Sequence, residues 1–95
     1  MVNESQSPSV FGSDAQAKAQ NAVLKERRNQ DGKWGYVEHN GPEWLSILME
    51  EVGEMCQDIN QGNDYKEELI QVAAVAQRWL EAIECGATQS KGEEI

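Results

Sequence analysis

Two adjoining segments, residues 42–60 and 64–84, repeat apolar side chains at intervals of three and four, a period that specifies amphipathic helices. In the first, Leu45, Leu48, Val52, Met55 and Ile59 form a narrow seam like a coiled-coil face. In the second, Leu69, Val72, Ala73, Ala76, Trp79, Leu80 and Ile83 make a broader stripe. Pro42 suits the first turn of the earlier helix, and Gln61-Gly62-Asn63 ends it. Asp64 caps the later helix, with Glu67 three residues on where a capping box puts its acid, and Cys85-Gly86 closes it. So short a connection implies an antiparallel pair.

A third helix is expected ahead of this pair. Ser13 or Asp14 caps an alanine-rich stretch from Ala15 to about Gln30. Its apolar stripe (Ala19, Ala22, Val23) is thin and suits the edge of a core. Asp31-Gly32, Asn40-Gly41 and Pro42 then mark residues 31–42 as a loop, rich in aromatic and basic side chains. The expected organisation is a disordered tail over 1–13, an all-α domain of three main helices over 14–85, and a flexible tail over 86–95.

Ninety-five residues are few for a self-sufficient core. A chain of this size buries only about 60–65% of its unfolded surface, so a partner subunit would help it. Seventeen acidic residues against 8 basic give a net charge of −9, which argues against a nucleic-acid backbone as partner. Nucleotides stay compatible with that charge, because bound cations reverse a local field. No apolar run approaches the roughly 20 residues of a membrane span, and the first residues lack the basic and apolar regions of a signal peptide. Cys56 and Cys85 have neither CxxC spacing nor a histidine cluster, which reads as two reduced thiols in a cytoplasmic protein.

The chemistry is carried by acids at the margins of the two apolar faces. Glu50, Glu51 and Glu54 share one helix; Glu68 and Gln71 share the next. On a wheel of 100° per residue, Glu51 stands roughly 60–70° from the centre of its seam, and Glu54 and Asp58 a little further round. Like charges at three- and four-residue spacing repel by a few tenths of a kcal/mol. Beside a core the cost rises, which calls for a cation between them. Oxygen-only ligands select magnesium, or manganese. Lys33, Arg27 and Arg28 are candidates to reach substrate phosphates, and Trp34 to stack on a base. Arg78 is placed to offset the acidic stripe and is a further candidate to bind substrate. Trp44 and Trp79 read as packing residues, and His39 as a loop residue.

At these positions the chain resembles the MazG-like family of nucleotide pyrophosphohydrolases, within the all-α NTP pyrophosphatase superfamily. The family pattern is EExxE followed by ExxD. Here it reads Glu50-Glu51-Val52-Gly53-Glu54, then Glu68-Leu69-Ile70-Gln71. ERRNQDGKWG, GPEWLSILMEEVGE and EELIQVAAVAQRWLEAIE extend the resemblance from Glu26 to Glu84. It implies a dimer whose helices form a four-helix bundle, or a tetramer made of two dimers. It also implies magnesium-dependent cleavage between the α and β phosphates of a nucleoside triphosphate, with a house-cleaning role in the nucleotide pool. Glu51, Glu54 and Glu68 match the metal ligands, and Glu50 an extra ligand or the group that orients the attacking water. Gln71 departs from the pattern, standing where the family has Asp. An amide oxygen ligates a hard cation but brings no charge and cannot act as a base. Two other readings stand beside this one: a weakened nucleotide-binding module, and a helical dimerisation protein.

Overall fold

The computed structural model describes residues 13–91. Three helices make up the fold: α1 (Ser13–Trp34), α2 (Gly41–Asn60) and α3 (Lys66–Glu84), with no strand among the described residues. The tail expected over residues 1–13 and the last four residues of the one expected over 86–95 lie almost wholly outside the described residues. None of the described helices is long and apolar enough to cross a membrane.

The helix boundaries follow local chemistry. α2 begins with a capping box: the Asn40 N–H donates to Glu43 Oε1 and the Glu43 N–H donates to Asn40 Oδ1, both at 2.9 Å. Pro42 stands in its first turn, and Gly62, with φ of 76°, turns the chain out of it. At α3 the expected capping box is absent. The Asp64 carboxylate accepts from the Lys66 N–H at 3.0 Å, but Tyr65 takes the cap position and makes no side-chain capping bond. Gly86, with φ of 83°, ends α3 after Cys85, as the sequence indicates.

α1 is longer than expected. Asp31-Gly32 is not a turn; the helix runs through it to Trp34. Asp31 is held on the helix surface by Arg27, one turn back, at 3.5 Å. The residue that stops the helix is Gly35, at φ of 68°, whose N–H donates to the Asp31 carbonyl at 2.8 Å. The connecting loop is thereby cut to residues 35–40.

α3 is the central element. It packs against both α2 and α1, while α1 and α2 scarcely meet. The core is small: Trp44, Val75 and Ala82 are buried, with Ile47, Leu48, Trp79 and Ala87 packed against them. Trp44 and Trp79 are therefore packing residues. Thr88 joins this core from beyond α3. Its hydroxyl donates to the His39 carbonyl at 2.6 Å and accepts from Trp44 Nε1 at 3.3 Å. His39 stacks edge-on against the Trp44 indole at 4.9 Å. Ala87 and Thr88, expected to be loose, are thus tied down.

The rotation of α2 and α3 departs most from expectation. On α2 the inward side chains are Trp44, Ile47, Leu48, Glu51, Val52, Met55 and Asp58, a face centred roughly 60° from the expected seam. Leu45, Met49 and Ile59 remain about half exposed. On α3 the buried positions Ala74, Val75 and Ala82 lie roughly 140° round from the middle of the expected stripe. Leu69 and Leu80 of that stripe are about half exposed. The cause is the central place of α3: squeezed between two neighbours, it buries the side that faces both. What the single chain leaves outside is a matched pair of apolar lines. Leu45, Met49, Val52, Cys56 and Ile59 run along α2, and Leu69, Ala73, Ala76, Leu80 and Ile83 along α3, all exposed except the half-buried Val52, Ala73 and Ile83. Both keep the 4-3-4-3 spacing of a helix-packing seam.

Candidate functional site

The same rotation carries Glu51 and Asp58 inward and leaves Glu50 and Glu54 exposed. Glu51 sits one turn from Leu48 and Met55 on the inner line of α2, half-buried. Its Oε1 is shut off from solvent and has no hydrogen-bond partner. Burial pushes the Glu51 carboxyl above the ordinary carboxylate range, and the nearby charges of Glu54, Glu68, Glu50 and Glu26 push it further. Glu68, in the first turn of α3, is half-buried and also shifted upward. The leading cause is a hydrogen bond shared with Asp58, followed by burial and the charges of Asp58 and Glu54. Glu54 and Glu50 are exposed, and Gln71 is half-buried one turn along from Glu68.

Glu51, Glu54 and Glu68 therefore belong to one electrostatic cluster between α2 and α3. Two further acids join it that were not singled out as site residues: Asp58 from α2 and Glu26 from α1. Asp58 was legible as the i+4 neighbour of Glu54 and the i+7 neighbour of Glu51. Among the described residues, no three acidic, histidine or cysteine side chains converge as a coordination sphere. The donor set is nevertheless right for a hard cation: carboxylate oxygens, one of them buried and unsatisfied, and an amide oxygen.

The cationic candidates lie elsewhere. Arg78 follows Glu68, Gln71 and Val75 along one line of α3, and its ten-residue separation from Glu68 is a rise of about 15 Å. Its guanidinium lies 5.4 Å from the Trp44 ring and 5.9 Å from the Trp34 ring. Asp31 is its acidic neighbour, at 3.9 Å, beyond hydrogen-bonding distance. Arg27 is committed more firmly. It forks onto both carboxylate oxygens of Glu81, one at 2.8 Å, and donates to Gln77 at 2.8 Å. That guanidinium holds Glu81 below the ordinary carboxylate range. Lys33 and Trp34 are exposed at the end of α1, the ammonium 5.6 Å from the ring.

Asp31, Glu81 and both arginines border a cleft of about 460 Å³, walled by Tyr36 and Trp44. Cys85 opens onto it as an exposed free thiol, and Cys56 is likewise free and exposed on α2. The molecule thus presents an acidic cluster towards the start of α3 and a charge-balanced cleft towards its end. Compared with family models, curated proteins and solved structures, the chain finds no significant match.

Proposed function

We propose that the protein is a magnesium-dependent nucleoside triphosphate pyrophosphohydrolase that works as a homodimer or as a tetramer of two dimers. The observation that carries this reading is the inverted arrangement of α2 and α3. Carboxylates cluster between α2 and α3, Glu51 with a buried oxygen that has no partner, while most of the two regular apolar lines stays exposed. A lone chain gains from neither. A cation in the groove relieves the first cost, and a second hairpin over the apolar lines relieves the other, giving a four-helix bundle. The EExxE and ExxQ segments, with their resemblance to the MazG-like enzymes, supply the reaction class.

In this reading Glu51, Glu54 and Glu68 hold magnesium, or manganese, and Gln71 adds a neutral oxygen. The bound ion would supply positive charge to offset the triphosphate and the departing pyrophosphate. Without it a chain of charge −9 repels its substrate. Glu50, exposed beside the cluster, is placed to accept the proton of the attacking water. Lys33 and Trp34 are free to meet the substrate from the end of α1. A role in clearing unwanted nucleotides from a cytoplasmic pool fits this chemistry.

The test is direct. Purified protein is incubated with magnesium and a panel of ordinary, oxidised and deaminated nucleoside triphosphates, and pyrophosphate is measured. Release that disappears on Glu54→Gln supports the reading; no release from any member removes it. The lack of a converged coordination sphere favours a second reading, a weakened nucleotide-binding module. Nucleotide and magnesium binding without turnover, with turnover restored by Gln71→Asp, would select that one.

A further inference from the structure

The cleft at the far end of α3 is distinct from the acidic groove, and its chemistry is specific. Its volume of about 460 Å³ lies in the range of small-molecule sites. Its charges are two guanidiniums, Arg27 and Arg78, against two carboxylates, Asp31 and Glu81. The arginine side chains are nearly covered, at 12% and 11% exposure, whereas Asp31 and Glu81 are more than half open. An anion entering there would meet the carboxylates first and gain no net charge. Phosphate is therefore a poor ligand for this end, despite the two arginines.

A neutral planar ligand suits it better. Arg27 is engaged by Glu81 through its two terminal nitrogens, its Nε being buried without a partner, whereas Asp31 and Arg78 make no hydrogen bond to each other. Asp31 accepts one long bond, 3.5 Å, from Arg27 on Oδ2, and its Oδ1 stands 3.9 Å from Arg78 with no hydrogen bond, so that oxygen is the open acceptor. Arg78 faces indole rings and donates no hydrogen bond to Asp31. A guanidinium with donors to spare thus stands beside a carboxylate with one open oxygen, with Trp44 and Tyr36 around them. The complementary edge has a ring carbonyl next to two N–H donors. Among the common bases guanine has that edge.

We propose that this cleft reads the base of the nucleotide substrate and prefers guanine, with Arg78 donating to the ring carbonyl and Asp31 accepting from the adjacent ring and exocyclic N–H groups. The inference rests on the hydrolase reading for its choice of ligand. It also follows from that layout, because the base site and the cation site lie on one line of α3 about 15 Å apart.

The experiment separates the two claims by leaving out the metal and the scissile bond. The full chain, labelled with nitrogen-15, is titrated in EDTA with the deoxynucleoside 5′-monophosphates of guanine, hypoxanthine, cytosine and thymine. All four carry the same phosphate, so differences report the base. Saturable shifts are expected at the amides of Gly35, Tyr36, Val37 and Cys85. The guanine nucleotide should bind about tenfold more tightly than the hypoxanthine one, which lacks the exocyclic amino group, the effect of one hydrogen bond to a charged group. Asp31→Asn should erase that difference, and Arg78→Lys should lower guanine affinity while keeping the charge. No saturable shift at these amides, or equal affinity for all four nucleotides, overturns the inference. Such a failure with pyrophosphate release intact leaves the hydrolase reading standing; selective binding without release leaves the cleft standing alone.

Discussion

Glu51→Gln should stabilise the metal-free protein, an unusual outcome for a change at a proposed working residue. The wild-type carboxylate has one oxygen sealed from water without a partner, and four other acids raise its proton affinity. A buried polar atom left unsatisfied costs about 1–3 kcal/mol, and charge adds to it. The isosteric amide keeps a polar atom at that place but removes the charge, so it recovers the repulsion from the neighbouring acids, a few tenths of a kcal/mol from each and about 1 kcal/mol together. In a domain this small that is a rise in Tm of about 4–8 °C. The sign of the pH dependence follows from the upward shift. Between the ordinary carboxylate value and the raised one, the folded chain binds more protons than the unfolded chain, so stability falls as pH rises through that window. The penalty is present above the raised value and eases as pH falls through it towards the ordinary carboxylate range. Glu68 acts in the same sense. Glu81 acts oppositely and at lower pH: its depressed value gives stability that is lost as pH falls below the ordinary carboxylate range. Circular-dichroism melts in EDTA at pH 5 and 7.5, at fixed protein concentration, read these terms. Magnesium should raise the wild-type Tm and leave the variant nearly unmoved. A variant that melts below the wild type in EDTA at pH 7.5 would show that Glu51 is satisfied in solution, and the case for a cation there would fail.

Leu45→Glu combined with Leu80→Glu places charge in both outward apolar lines and should reduce the particle to a single chain by light scattering; a wild type that is already monomeric at the same concentration refutes the bundle. Thr88→Val keeps the shape but deletes the hydroxyl that links His39 to Trp44, leaving a buried indole N–H and a carbonyl unpaired. It should cost about 1–3 kcal/mol in denaturant unfolding; an unchanged midpoint would mean water replaces the hydroxyl.

The helices were legible in the sequence because their period and their glycine stops are local signals. The end of α1 was misread for a reason that is also local. Asp31-Gly32 has turn composition, but an aspartate paired to an arginine one turn back is a helix signal, and Gly32 has open space around it. Gly35, with its left-handed backbone, was the true stop. The Asn40-x-x-Glu43 spacing was equally readable as a capping box and fixes the start of α2. The rotation of α2 and α3 was not legible. A wheel centres the richest apolar stripe on the core, and that rule presumes that all the partners are in the same chain. Here α3 meets two neighbours with its mixed side. The position of Glu51 inside the groove, and the Arg27–Glu81 pair spanning α1 and α3, therefore depend on contacts between residues far apart in sequence.

Because α1 leans almost wholly on α3, its detachment need not unzip the hairpin of α2 and α3. The protein should therefore come apart in two cooperative stages. Amides of α1 exchange with solvent through an early, shallow opening that breaks Arg27 from Glu81, while those around Val75 wait for the deeper event. Among the three helices, a protease acting on the native chain would then cut first within α1, leaving the hairpin as the surviving fragment.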